Sequence, residues 1–421
     1  MPVSGPAQQF LFAVSAEGSS LARDLEAFRE FGESTRKISI PWTRPGGQRE
    51  ETTAYVNEFW TSKQRAASRL HEVSYRACFK PQLPRFFIER LTRPGDVVYD
   101  PFMGRGTSLV EAALLGRIPF GCDVNPLSSV LTVPRLAPPT LEEIGARLQS
   151  IDFTRSREFP EELLTFYHPA TLRHIVALKE YFLGLKKLDS ADQWIRMVAI
   201  NRLTGHSPGF FSVYTLPPNQ AVSLKAQQKI NQDRKQTPPE RNVAAIILKK
   251  SRSLLSDLDS DSRSRLCQAG RRSLILTQAC ASTPQIPSDS VALAVTSPPF
   301  LDVVDYAGDN WLRCWFLGLD AKNVPVTMAR KLEQWSDAMT GALRELRRVL
   351  KPGGHVAFEV GEVHGGKTKL EETILPAGLA AGLTPELVLI NDQEFTKTAN
   401  CWGVANNAKG TNTNRVVVFR K

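Results

Sequence analysis

The sequence predicts an α/β chain built on a mostly parallel sheet, with a mainly helical segment inserted between the two halves of that sheet. Three observations carry this. The run DVVYDPFMGRGTSLVEAALLGRIPFGCD, at 96–123, reads strand, Gly-rich turn, helix, strand. Residues 271–421 return to β/α alternation, with strands expected at 273–277, 291–295, 355–360, 386–391 and 415–420. Between them, 137–270 lacks strand alternation and reads mostly helical, broken at His206-Ser207-Pro208-Gly209 and Thr237-Pro238-Pro239.

The elements follow in order. Residues 1–60 form an N-terminal extension with a helical segment at 21–31 and a Pro-rich stretch, Ile40-Pro41-Trp42-Thr43-Arg44-Pro45. Residues 61–136 give a helix and the first βαβ unit. Its strand at 97–99 is apolar and β-branched, and the turn is Asp100-Pro101-Phe102-Met103-Gly104-Arg105-Gly106-Thr107. A helical pattern covers 108–115, and Gly116 is a reasonable stop. The next strand, 118–122, ends in Asp123.

Glycines after a first strand let the backbone approach a ligand, and an acidic residue about 20 positions later can hold ribose hydroxyls. The turn lacks the third glycine of the dinucleotide fingerprint, and the chain has no G-x-x-x-x-G-K-[ST] loop. A cofactor without phosphates fits better, made of a ribose, an adenine and an amino-acid tail. S-adenosylmethionine is the candidate.

A second motif closes the strand at 291–295. Ser297-Pro298-Pro299-Phe300 offers a hydroxyl, bare carbonyls and a flat ring on a stiff turn, because proline fixes φ and removes a donor. Such a turn could hold an amide-like amine by its hydrogens while stacking on its π-face. It could equally be a Pro-Pro strand stop without chemistry.

Together the two motifs resemble the amino-group DNA methyltransferases, which act on N4 of cytosine or N6 of adenine. Leu346-Arg347-Arg348-Val349-Leu350-Lys351-Pro352-Gly353-Gly354 resembles a helix, turn and strand of the same fold, and Phe79-Lys80-Pro81-Gln82-Leu83-Pro84 the segment before the cofactor motif. The resemblance covers 80–136 and 285–421 well, and 1–60 and 137–270 poorly. It implies a doubly wound, mostly parallel, seven-stranded Rossmann-like sheet ending in an antiparallel hairpin. It makes 61–136 and 271–421 the catalytic domain and the basic insertion 137–270 the target-recognition region.

The resemblance also implies site roles. Ser297, Pro298, Pro299 and Phe300 are the catalytic residues, with the Ser297 hydroxyl and Pro298 carbonyl accepting the amine hydrogens and Phe300 stacking on the base. Lys80, Asp100, Phe102, Gly104, Gly106, Thr107 and Asp123 are the cofactor residues. Asp100 either contacts the cofactor's amino group or braces the turn, and Lys80 is either near the cofactor carboxylate or a surface lysine. Tyr306 and Trp402 are candidates for the base pocket, and Trp402 could instead cap the core. The strand end Thr277-Gln278-Ala279 lacks the acidic residue that often meets the adenine, so that contact stays unassigned. Serine before Pro-Pro leans the target toward cytosine N4, with adenine N6 the alternative and RNA or protein amide methylation, or a non-enzymatic DNA-binding module, behind it. A target inside a duplex must be flipped out. Family habit adds a restriction endonuclease partner.

Composition sets outer bounds. The net charge is +10, and between Thr171 and Arg272 basic residues outnumber acidic ones roughly two to one, including Lys225, Lys229, Arg234, Lys235, Arg241, Lys249, Lys250 and Arg252. A basic balance favours a polyanion such as double-stranded DNA, though a solvated helical face has the same look. The 6 cysteines are scattered without a C-x-x-C pair, and no histidine cluster suggests a metal. No Pro-Cys dipeptide is present, which counts against C5-cytosine chemistry. No apolar run is long enough to span a membrane and no secretory signal is evident, so a cytoplasmic protein is expected.

Overall fold

The computed structural model describes residues 19–60, 67–76, 78–156, 158–215, 222–299, 306–324, 331–360, 362–363, 368–392 and 413–421. An N-terminal helix α1 (Ser20–Ala27) precedes a hairpin of β1 (Arg36–Thr43) and β2 (Arg49–Asn57). The first βαβ unit follows as α2 (Gln82–Leu91), β3 (Val97–Asp100), α3 (Thr107–Leu114), β4 (Ile118–Asp123) and α4 (Pro126–Leu136). The insertion is helical: α5 (Leu141–Ser150), α6 (Pro169–Gly184), α7 (Ser190–Ile200), α8 (Leu224–Asp233), α9 (Val243–Leu255) and α10 (Ser260–Arg272). Then come β5 (Leu274–Thr277), β6 (Val291–Thr296), α11 (Tyr306–Phe316), α12 (Leu332–Val349) and β7 (Leu350–Val360). A short ribbon of β8 (Glu362–Val363) and β9 (Thr368–Lys369), helix α13 (Glu371–Ala380), β10 (Thr384–Asp392) and β11 (Thr413–Arg420) complete the chain.

Among the described residues the main sheet has nine strands in the order β1-β2-β10-β11-β7-β6-β3-β4-β5. Five strands, β7-β6-β3-β4-β5, run parallel, and β10–β11 is the expected antiparallel hairpin. The seven expected strands are all present. The two additional ones come from the N-terminal extension, where β2 joins β10 in parallel. The Pro-rich stretch therefore forms a strand. Pro41 is tolerated because β1 lies at the sheet edge, where a missing N–H leaves no inner ladder bond unmade.

Period-two alternation explains why helices cover both faces. Val416 and Val418 of β11 join Val98, Leu293 and Val295 against α1 and α2, whereas Val417 and Phe419 join Tyr99, Ala294 and Phe358 against α12 and α13. The insertion shares a third apolar cluster with α3, α4 and α11, through residues such as Val110, Leu131, Phe166, Trp194 and Phe316. It is thus packed onto the helices that carry the first turn. The segment before α2 is tied in as well: Ser74 N–H donates to Asn201 Oδ1 at 2.9 Å, and Arg313 donates to the Ser74 carbonyl at 3.0 Å.

The chain leaves β3 toward β4 and β5, then crosses back so that β6 lies on the other side of β3. The turn after β3 and residues Ser297–Pro299 after β6 meet there around a crevice at the strands' carboxyl ends. That is where ligands bind in open α/β sheets.

Candidate active site

A cavity of about 210 Å³ opens at this switch point. Its floor comes from the turn after β3, with Asp100, Phe102, Gly104 and Thr107. One wall comes from Asp123 to Asn125, and the opposite side from Ser297 and Pro299. Two turns nearly 200 positions apart in sequence therefore share one cleft.

The first turn is held by its own carboxylates. Gly104 adopts φ +49°, a conformation costly for a side chain, and its N–H donates to Asp123 Oδ2 at 2.9 Å. Asn125 N–H donates to Asp123 Oδ1 at 2.8 Å. Each carboxylate oxygen keeps a further lone pair. Burial holds the Asp123 carboxyl above its ordinary range, against the pull of these hydrogen bonds.

Asp100 is 1% exposed. Thr296 Oγ1 donates to its Oδ1 at 2.6 Å, Phe102 N–H to the same oxygen at 3.1 Å, and Ser108 Oγ lies 2.8 Å from its Oδ2. The carboxyl thus joins the ends of β3 and β6 to the start of α3. Burial pushes it up to about 6, opposed by the hydrogen bonds and reinforced by the charge of Asp123.

Gly106 has a different task from Gly104. It does not line the cleft. It caps α3 in the left-handed region at φ +74°, and a Cβ there would stand 2.3 Å from Thr132 Oγ1 on α4. The second glycine lets two helices meet closely, and α4 touches the turn from behind. Lys80 is exposed and outside the cleft, while its neighbour Phe79 lines it. Pro298 is buried beneath the second turn, between the two residues that line the cavity. Phe300 and Trp402 lie outside the described residues, and Tyr306 opens α11 with its side chain likewise outside them.

Several wall residues were not read from the sequence. Trp335 and Met339 on α12 line the cleft, and the Trp335 indole N–H donates to the Pro299 carbonyl at 2.9 Å, pinning the Pro-Pro turn. Their spacing of four marks a helix face, which reads equally well as core. Tyr75 and Cys78 line the cleft because Arg105 draws their segment over the turn, donating to the carbonyls of His71, Val73 and Phe79 at 3.3, 3.0 and 3.3 Å. Arg135, fully buried on α4, donates in turn to the Leu70 and Arg105 carbonyls. Beyond the end of β5 the cleft is lined by Gln278, Ala279 and Cys280. Burial raises the Cys78 thiol and pushes Cys280 up to about 12, so neither is poised as a thiolate.

Phe316 belongs to the third apolar cluster and Trp311 packs against it, their rings 6.3 Å from Phe182 and 6.1 Å from Phe166. Lys225, Lys229, Arg234, Lys235, Lys249 and Arg252 are exposed on the insertion, whereas Lys250 pairs with Glu72 at 3.1 Å. Among the described residues no group of three or more His, Cys, Asp or Glu could hold a metal, and no helix is long and apolar enough to cross a membrane.

The strand order, the helices on both faces and the cleft at the switch point define a Rossmann-like methyltransferase fold. Residues 6–128 match the DNA methylase family. Over 103 residues the chain is 28% identical to the Type II methyltransferase M.MjaII of Methanocaldococcus jannaschii, covering 24% of this chain and 19% of that protein. Over 346 residues it is 22% identical to the Type II methyltransferase M.BsoBI of Geobacillus stearothermophilus, covering 73% and 64%. Over 101 residues it is 30% identical to the tRNA (guanine(10)-N2)-dimethyltransferase of Methanocaldococcus jannaschii, covering 24% and 29%. The chain spans less than two thirds of each of these relatives. The family match, starting at residue 6, reaches the extension in which the sequence showed little resemblance.

Proposed function

We propose that the protein transfers a methyl group from S-adenosylmethionine to an exocyclic amine in DNA, with cytosine N4 the favoured atom. The observation that carries this is the shared cleft: the Gly104–Asp123 turn and the Ser297–Pro299 turn face one cavity. The residues present fit the cofactor. Asp123 keeps acceptor capacity suited to ribose hydroxyls, and Phe102, Val124, Ala279 and Met339 offer apolar surface suited to an adenine. Bound there, the cofactor supplies an electrophilic sulfonium methyl.

The chain's own residues do the rest. An exocyclic amine is a weak nucleophile, because its lone pair is delocalised into the ring. Acceptors at its hydrogens draw that lone pair out of conjugation. Ser297 Oγ and the Pro298 carbonyl take this role, while Trp335 occupies the neighbouring Pro299 carbonyl and fixes the turn. Alignment of amine and methyl supplies much of the acceleration. The flipped base enters from a duplex held by the exposed cations of the insertion. A serine before Pro-Pro supports cytosine over adenine, and a role in protecting a recognition sequence from an endonuclease extends the reading.

The test is incubation with mixed-sequence duplex DNA and methyl-labelled cofactor, followed by identification of the modified nucleoside. N4-methylcytosine is expected. N6-methyladenine would overturn the choice of base. Labelling of RNA alone would favour a second reading, RNA amine methylation, which the similarity to a tRNA guanine-N2 enzyme supports.

A further inference from the structure

A serine that must accept hydrogens from an amine has a difficulty of its own. Its hydroxyl carries one proton, and a proton aimed at the substrate would repel the amine hydrogens. The structure shows where that proton can go. Glu359 on β7 is a neighbour of this serine, and the Ser297 hydroxyl acts to hold the Glu359 carboxyl down. The register of β6 and β7 pairs Thr296 with Phe358, which brings the next residues on the two strands, Ser297 and Glu359, side by side. Asn414 at the start of β11 donates its amide to Glu359 Oε1 at 2.5 Å, so that oxygen is an acceptor. Glu359 is 6% exposed.

We propose that Glu359 is a positioning residue that turns the Ser297 proton away from the substrate and receives the proton released by methyl transfer. This rests on the amine-methylation reading above and adds to it a group outside the cleft lining. As the amine nitrogen bonds the methyl carbon, the carbon–sulfur bond breaks and its electron pair stays on sulfur. The nitrogen sheds one proton to Ser297 Oγ while the Ser297 proton passes to Glu359, and solvent removes it after product release.

The electrostatics suit this task. Burial pushes the Glu359 carboxyl up to about 7, opposed by the hydrogen bonds from Asn414 and Ser297. The charged groups on the adjoining elements are engaged elsewhere. Asp100 on β3 is bound to Thr296 and Ser108, and Arg415 on β11 is paired with Glu371 of α13 at 2.5 Å. A carboxyl titrating near neutrality can be ionised before transfer and can hold a proton after it. The competing explanation is a cross-strand brace between β7 and β11, for which any hydrogen-bonding amide would serve.

The experiment separates the two. Single-turnover transfer from labelled S-adenosylmethionine to duplex DNA is followed from pH 5.5 to 9, with cofactor affinity measured by calorimetry. The wild type should speed up through about pH 7 and then level off. Glu359→Gln should be slower by about 10²-fold at pH 8, should lose the pH-dependent limb, and should bind cofactor within about twofold of the wild type. Asn414→Ala removes a hydrogen bond that favours the ionised form, so its limb should move to higher pH. That variant keeps the test open if Glu359→Gln fails to fold. A flat wild-type profile, a Glu359→Gln variant with wild-type rate, or an unmoved limb in Asn414→Ala overturns the inference alone. A wild type that labels no DNA at any pH sinks the methylation reading and this inference with it.

Discussion

Replacing Asp100 with asparagine tests whether this carboxyl braces the cleft while holding its proton to a higher pH than an ordinary carboxyl. The substitution keeps the shape and one acceptor, and removes titration. In the folded protein the carboxyl titrates at about 6 against an ordinary 3.8. The geometry supports a held proton: Ser108 Oγ lies 2.8 Å from Asp100 Oδ2 and 3.0 Å from the Val295 carbonyl, and one hydroxyl proton cannot serve both. A proton on Oδ2 leaves Ser108 free to donate to Val295. Because the fold binds this proton more tightly than the unfolded chain does, the wild type loses stability as pH rises from about 3.8 to about 6, and not beyond. The gap corresponds to about 3 kcal/mol. Urea unfolding of both proteins at pH 4 and pH 7.5 reads the effect. Asp100→Asn should be less stable than the wild type at pH 4 by about 1–2 kcal/mol for mismatched hydrogen bonds. It should gain about 2.5 kcal/mol relative to the wild type between pH 4 and pH 7.5. A stability difference that is the same at both pH values, or that moves the other way, refutes the reasoning. Three of the carboxylate's contacts are internal, so cofactor affinity should change little. A large loss of affinity would assign Asp100 to the cofactor instead.

Three other outcomes follow from the geometry. Gly106→Ala should destabilise by about 2–4 kcal/mol in chemical unfolding, from backbone strain plus the clash with Thr132, and adding Thr132→Ala should recover only the clash. Ser297→Ala should lower single-turnover transfer by about 10²-fold or more with cofactor affinity intact; a variant that loses cofactor binding but keeps the transfer rate would reverse the role given to this serine. Trp335→Phe removes the donor to the Pro299 carbonyl and should lower stability by about 1–3 kcal/mol, together with the transfer rate; an unchanged rate would show that the Pro-Pro turn keeps its place without the indole.

What could be read from the sequence depended on how local the determinant was. The ends of β3, β4 and β6 were legible because short apolar runs stop abruptly at residues with special backbone needs: Asp100 before the glycines, Asp123, and Ser297 before two prolines. The convergence of the two turns followed from the alternation of strands and helices. The N-terminal hairpin was not legible. β1 carries Arg36, Lys37 and Pro41 and buries only Ile40 and Trp42, so its pattern is that of a one-sided edge strand. Only the pairing of β2 with β10 turns it into part of the sheet. The clamp of Arg105 and Arg135 was equally hidden, because its partners are carbonyls 26 to 65 positions away and any residue can supply a carbonyl. Gly106 was read as a cofactor residue, and the structure gives it a packing role. Its φ suits a binding turn, but what requires the missing side chain is Thr132, and a sequence does not show which helix lies behind a glycine.

The N-terminal hairpin also affects how the molecule behaves among its own copies. Without it, β10 would present the backbone beside Val388 and Ile390 to solvent, a flat apolar margin of the kind that zips onto a neighbour. The hairpin transfers that margin to a strand bearing two cations and a proline, which is a poor template for further strands. Asn391 fastens the junction by accepting the N–H groups of Phe59 and Trp60 at 2.7 and 3.1 Å. Residues remote from the cleft thereby give the sheet an edge poorly suited to pairing with a neighbour.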